Sequence, residues 1–331
     1  MAPIFVLGRQ HSGNTMLTTL LGRVPGNLGV RAEGGFFEVQ RRLDALPAEE
    51  RAAKTARRIR DDGVRAFLRS PESPEGMDIW DDITPVMTAA ALRGASATEL
   101  YVLGMQEVME RLGKRRWVQK ATSYIFLADE ILRMFPRARL IFLARNPLDL
   151  AASTAKRNGT SRHTLRLALG WNRGVKRALR LRAERPESFL LLRYEDLVTD
   201  PESVIQETCA FCDLPYDASY LDIPHVNRSE SRHNTNSEQR GVSASRVFYY
   251  RDLLSPTEEA AVRLATDDAL LRDLYPELDA ATGPSGGTAR VRALGLLASS
   301  AALLVSKEGK RIVEAPLRSV RRITDRFGSG T

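Results

Sequence analysis

Apolar positions fall along this chain in two rhythms, separated by polar stretches with neither. Short unbroken runs at Ile4–Leu7, Leu140–Ala144 and Phe189–Leu192 have the length of buried strands. Trp117-Val118-Gln119-Lys120 reads as a further strand, and Leu28-Gly29-Val30 as a short one. Between them, Met16, Leu17, Leu20 and Leu21 recur at helical spacing before Gly22 and Pro25 stop the pattern. Similar patterns predict helices over Tyr124–Phe135, from Leu148 past Ser153, over Thr164–Arg185 and from Pro201. Another is predicted from Ser255 to Leu271, where Ser255, Pro256 and Glu258 read as a capping box with proline at the first turn. Residues 36–113 read as mostly helical. Ser70–Gly76 is a loop by composition, and His225–Arg246 is a long polar stretch without a period.

Strands that alternate with helices predict an α/β protein with a parallel central sheet flanked by helices. The helical stretch 36–113 is then an insertion, expected over the C-terminal edge of the sheet, where open α/β folds bind ligands. The domain reading is one body over 1–280, followed by a distinct tail over 281–331.

The first strand leads into Gly8-Arg9-Gln10-His11-Ser12-Gly13 and then into a helix. A strand, a glycine-bounded loop and a helix N-terminus make a phosphate cradle, because backbone N–H groups converge there on an anion. The spacing departs from a nucleoside-triphosphate loop at one place. Asn14 stands where the lysine that reaches the β/γ-phosphates should be, beside Thr15. The loop suits an anion but is poorly equipped for a triphosphate. Arg145 ends the strongest strand, and Ser153 lies eight residues later in the next helix, a second pair suited to an anion. Glu33 follows the second strand, beside Gly34 and Gly35.

Composition changes this picture little. The 331 residues are 43% hydrophobic and 27% charged, as in an ordinary globular chain. The net charge of +8 is concentrated between 289 and 331, where nine Arg/Lys face three acids. It therefore does not mark the body as a nucleic-acid binder. Met1-Ala2-Pro3 runs straight into the first strand, and no uncharged stretch has bilayer length, so a cytoplasmic location is expected. Cys209 and Cys212 form a CxxC at the C-terminal end of a predicted helix, where the dipole does not favour a thiolate, so they read as structural. Asp78, Asp81 and Asp82 lack companion ligands at a metal-binding spacing, and no metal is expected.

Four features in this order resemble the sulfotransferase family, which uses 3′-phosphoadenosine 5′-phosphosulfate. The resemblance is closest to the branch that holds the tyrosylprotein and bacterial enzymes. Gln10-His11-Ser12-Gly13-Asn14-Thr15 is similar to the family's 5′-phosphosulfate loop. RNPLDLAAS, with Arg145 and Ser153, is similar to its 3′-phosphate element. WVQK, ending at Lys120, is similar to its lysine-bearing strand, and Tyr194-Glu195-Asp196-Leu197 with Asp200-Pro201 to its YEDLVxDP segment. The pattern departs at His11, where the family has Arg or Lys; Arg9 is a substitute contact.

The resemblance implies a P-loop NTPase-like sulfotransferase fold with helical insertions. It implies 3′-phosphoadenosine 5′-phosphosulfate as donor, adenosine 3′,5′-bisphosphate as product and no metal. Donor contacts are expected from Arg9, His11, Ser12, Gly13, Asn14, Thr15, Met16, Arg145, Ser153 and Tyr194. Arg240 and Arg246 would join them from a polar flap that also holds His225, Arg228, Arg232 and His233. Glu33 matches the catalytic base of that branch and Lys120 its lysine near the leaving oxygen, with His11 beside them; His163 or His233 are rival bases. The acceptor is expected to be a small-molecule, carbohydrate or lipid-borne hydroxyl or amine, and nucleic acid is not expected.

Two alternatives stand. A P-loop kinase would need the missing lysine. A nucleotide-binding protein without activity on the same fold is the other, because fold does not fix function. In the tail, Ala293–Ser306 is fourteen residues without a charge, and Leu317, Val320, Ile323 and Phe327 recur among arginines after Pro316. That pattern fits a membrane-surface anchor, or a helix packed on the body or on a second copy in a homodimer.

Overall fold

The computed structural model describes residues 2–30, 33–60, 80–161, 163–223, 240–278 and 287–314. The polar flap residues His225, Arg228, Arg232 and His233, the loop 70–76, Asp78 and the segment after Pro316 lie outside the described residues.

The predicted strands form one parallel sheet. They are β1 (Ile4–Leu7), β2 (Asn27–Val30), β3 (Arg116–Lys120), β4 (Arg139–Ala144) and β5 (Phe189–Arg193). Their order is β2-β3-β1-β4-β5. In register, Ile4 pairs with Val118 on one side and with Arg139 on the other. Every residue of β1 and β2 is buried, as expected of parallel strands covered on both faces. Parallel pairing also sends all five C-terminal ends to one edge. With β1 central and its neighbours reached in opposite directions, that edge holds the switch point where such sheets bind ligands.

The chain divides into two compact units, Met1–Arg145 with Arg177–Ala244, and Asn146–Lys176 with Ser245–Thr331. The first holds the sheet. Helix α1 (Asn14–Gly22) follows the glycine loop. Over the insertion, α2 (Phe36–Asp44), α3 (Ala48–Ile59), α4 (Trp80–Leu92) and α5 (Ala97–Arg111) are all helical, as the pattern predicts. Helices α2 and α5 pack on a face of the sheet. Phe36 and Phe37 of α2 and Tyr101 of α5 join Phe5, Trp117, Tyr124 and Phe135 in one aromatic cluster, with Phe36 stacked on Tyr101 at 4.0 Å.

The helix expected over Tyr124–Phe135 is in two parts. A 3-10 turn at Tyr124–Leu127 precedes α6 (Ala128–Met134), because Leu127 leaves helical geometry at φ −112°, ψ 8°. The tight turn buries Tyr124, whose hydroxyl accepts from the Phe37 N–H at 3.3 Å. Helix α9 (Tyr194–Thr199), which the pattern did not indicate, precedes α10 (Pro201–Phe211), capped by the Asp200 carboxylate on the Ser203 N–H.

The second unit contains α7 (Pro147–Asn158) and the start of α8 (Thr164–Glu184). It also contains α11 (Tyr250–Leu253), α12 (Pro256–Ala265), α13 (Asp268–Leu274) and α14 (Gly287–Glu314). The Ser255–Glu258 capping box is present. The single helix expected from Ser255 to Leu271 breaks, however. Thr266 turns extended and returns its hydroxyl to the Val262 carbonyl, and Asp267 caps a new helix. Asn172 holds the break from α8, donating to the Ala265 carbonyl at 3.1 Å and accepting from the Asp267 N–H at 3.0 Å.

Asp149 is the polar centre of this unit. It is fully buried at the start of α7. Its carboxylate accepts from the Phe248 N–H at 2.9 Å, the Tyr250 N–H at 3.0 Å and the Asn146 amide at 2.7 Å. Phe248 sits at φ 55°, so this clamp fixes a turn that its own side chain disfavours.

Cys209 and Cys212 are buried in α10 and at its end, which bears out their structural reading. Burial pushes the Cys209 thiol up to about 11 and the Cys212 thiol up to about 12. Both stay protonated at neutral pH, so a thiol-specific reagent at pH 8 should modify neither until denaturant is added, as read by mass spectrometry. For Asp149→Ala, three donors, two of them buried, lose their acceptor; the expected cost is about 3 kcal/mol or more in urea unfolding.

Candidate active site

The loops at the C-terminal edge of the sheet gather the residues named from sequence. Gly8 leaves β1 with φ +144°. A Cβ there would lie 2.5 Å from the Leu143 carbonyl and 2.6 Å from Asn14 Oδ1, so the position admits only glycine. Gly13, at φ 92°, begins α1 without a capping side chain, and α1 has no acidic residue in its first turn. The N-terminal amides of Asn14, Thr15 and Met16 are therefore left for an anion. A Cβ on Gly13 would meet the Tyr194 ring at 2.7 Å, which explains why the loop can lie flat on that ring.

Asn14 does not take the Walker lysine's place in space. It is buried, and its amide turns back to donate to the Arg9 carbonyl at 3.0 Å. The same carbonyl accepts from the Ser12 N–H, and Ser12 is buried too. Asn14 is a brace inside the loop. Arg145 braces it from the other side. It is 4% exposed, lies over the Tyr194 ring at 4.1 Å and donates from Nη1 to the His11 carbonyl at 2.8 Å. His11 itself stands at φ 70°, a conformation that costs a non-glycine residue roughly 1 kcal/mol. The contact with Arg145 holds it there.

Glu33, Lys120 and Thr15 come together beside this loop. Lys120 Nζ lies 3.4 Å from Thr15 Oγ1 and 3.6 Å from Glu33 Oε2. The other Glu33 oxygen accepts from both the backbone N–H and the hydroxyl of Thr122. Lys120 is mostly buried and Glu33 is 41% exposed, so the carboxylate faces outward from the lip that the lysine lines. Such a group can receive a proton from a bound acceptor, with a cation and helix amides beside it for a phosphate.

Two side chains that hold Glu33 in place were not read from the sequence. Gln119 is buried in β3 and accepts from the Tyr101 hydroxyl at 2.8 Å. Its amide lies under Gly34, where a Cβ would come within 2.8 Å of Nε2, and the Gly34 N–H donates to the Lys120 carbonyl at 2.8 Å. The turn that carries Glu33 is thus pinned to β3. A glutamine inside an otherwise apolar strand is visible in the sequence, but its partners are not. Thr122, the partner of Glu33, left no such signal.

Arg240 commits its guanidinium to Asp222, at 2.6 Å and 2.7 Å, and that contact holds the Asp222 carboxyl below its usual range. Ser153, on α7, and Arg246 belong to the second unit, as does the rival base His163. His233 lies outside the described residues. Among the described residues there is no cluster of three or more His, Cys, Asp or Glu able to hold a metal.

Comparison with known proteins bears on the fold and the family. A solved sulfotransferase domain from the Synechococcus PCC 7002 olefin synthase has the same fold, with a TM-score of 0.54 and 19% identity over 83% of this chain and 95% of that one. A protein of Aquifex aeolicus is 32% identical over 263 residues, which are 75% of this chain and 30% of that protein. The chain therefore spans less than a third of that relative's length. The profile of the sulfotransferase family matches residues 3–218, which include the glycine loop, Glu33, Lys120, Arg145 and Tyr194. The chain belongs to the sulfotransferase family.

Proposed function

We propose that the chain moves a sulfuryl group from 3′-phosphoadenosine 5′-phosphosulfate to a hydroxyl or amine of a small-molecule, carbohydrate or lipid-borne acceptor. The observation that carries this reading is the meeting of Glu33, Lys120 and Thr15 beside an uncapped helix N-terminus. The residues present fit such a donor. The α1 amides offer a seat for its 5′-phosphosulfate, and the absence of a Walker lysine costs nothing where there is no γ-phosphate. The donor supplies a sulfuryl group on a phosphate leaving oxygen.

The chain's residues supply position and charge, which dominate this class of transfer. The amides of Asn14, Thr15 and Met16 orient the 5′ end. Lys120 stabilises the negative charge left on the phosphate oxygen as its bond to sulfur breaks. Glu33 takes the acceptor's proton as the acceptor atom bonds to the same sulfur. The Tyr101–Gln119–Gly34 contacts keep Glu33 at that distance from Lys120. Arg145 is the residue we assign to the donor's 3′-phosphate. Its resting contact with the His11 carbonyl has a neutral acceptor, and a charged phosphate would outcompete it.

Isothermal titration separates this reading from a kinase. Adenosine 3′,5′-bisphosphate should bind the wild type more tightly than adenosine 5′-phosphate, by about 1.5–3 kcal/mol. In Arg145→Ala that preference should disappear. Because Arg145 also supports the loop, the preference and not the affinity alone is the readout. Equal affinity of the wild type for the two nucleotides, or tighter binding of ATP, rejects the donor assignment.

Glu33→Gln should bind the bisphosphate as the wild type does and transfer radiolabelled sulfate roughly 10²–10⁴-fold more slowly. A wild-type rate in this variant together with a dead His163→Ala would move the base to the histidine. Tight binding of the bisphosphate with no transfer over lipid, carbohydrate and phenolic extracts would make the chain a binding protein.

A further inference from the structure

Among the described residues, helix α14 packs by one face. Ala293 is buried against Ala260 and Ala261 of α12, with Leu296 and Leu297 beside it. One turn on, the buried Ser300 hydroxyl accepts from the Leu165 N–H at 3.2 Å. On the opposite face Val291, Leu294 and Val305 are 70%, 60% and 73% exposed. Gly295, Ala298 and Ala302 fill the space between them and are exposed as well. The stretch Gly287–Ser306 is long and apolar enough to cross a membrane, yet only 11% of it is buried. It is not the core helix of a globular unit.

Charge decides what covers this face. Arg290 and Arg292 flank its start and are exposed. After Ser306 the sequence adds seven basic residues against three acids. A second copy laid along the face would bring like charges together in either direction. Parallel pairing sets the arginine ends side by side, and antiparallel pairing sets them against residues 307–314, whose three basic residues and two acids leave a net +1. An anionic surface matches both ends. Spanning is excluded by the packed face, where Ala293 and Ser300 are buried against the protein's own helices.

We infer that α14 docks the protein in the plane of an anionic lipid bilayer. Val291, Leu294 and Val305 enter the acyl boundary, and the basic residues at either end sit among the headgroups. The inference does not depend on the reaction. A lipid surface would bring a lipid-borne acceptor near the protein, but docking holds whatever the acceptor is.

The test is flotation of the full chain with phosphatidylcholine vesicles, with and without phosphatidylserine, over a salt series. The wild type should float with the phosphatidylserine vesicles at low salt and be released as salt rises. Val291→Glu/Leu294→Glu/Val305→Glu should abolish flotation without changing the melting temperature, because none of the three packs on α12. Arg290→Gln/Arg292→Gln, which leaves the apolar face intact, should weaken partition about thirty-fold. Three results overturn the inference: no flotation of the wild type at low salt, equal flotation of the triple glutamate variant, or light scattering that shows a dimer broken by that variant with no vesicle binding.

Discussion

Everything at the candidate active site depends on how closely the chain passes β4 as it leaves β1. At Gly8 the backbone lies against the Leu143 carbonyl and the Asn14 side chain with no room for a methyl group. That approach sets the height of the loop above the sheet. The amide of Asn14 then ties the loop to itself, Tyr194 underlies Gly13, and Arg145 fills the space between the ring and the His11 carbonyl. A helix N-terminus binds an anion only if its amides stand clear of other acceptors and are held at the right depth. Here backbone approach provides the depth, and the absence of a capping side chain provides the clearance.

The strands were legible because parallel strands are buried on both faces and read as unbroken apolar runs. The order of the sheet was not, but strand-end chemistry was. Glu33, Lys120, Arg145 and Tyr194 each follow or end a strand, and parallel pairing brings such residues to one edge whatever the order. Boundaries failed where a side chain competed with the helix. Thr266 returned its hydroxyl to the backbone and Asp267 capped a new start, so a continuous pattern of apolar residues hid a break. The short helix α9 was illegible because six residues hold too few apolar positions to show a period.

Site residues divide in the same way. Lys120 and Glu33 were visible as isolated charges beside apolar or glycine-rich stretches. Arg145 was read as a ligand because its type suits anions, and Asn14 because of the loop in which it stands. Both are also engaged inside the protein, since burial demands partners for polar atoms. Tyr101 and Gln119 act across an insertion of helices, and no local pattern announces a contact between residues on different elements. Sequence shows which groups reach the edge of the sheet; the supports that fix their distances are tertiary.

The Asp149 clamp has a consequence for the order in which this protein can be made. Its two backbone donors, at Phe248 and Tyr250, are synthesised about a hundred residues after the carboxylate itself. The segment between them returns to the first unit before the chain comes back to the second. On the ribosome, the five strands and the glycine loop are therefore complete while Asp149 still lacks these two donors. Closing so long a loop is slow relative to local helix formation. The nascent protein passes through an interval in which the sheet can form but α7 has no lock, and a chaperone that meets it then meets an exposed carboxylate beside bare apolar helix faces.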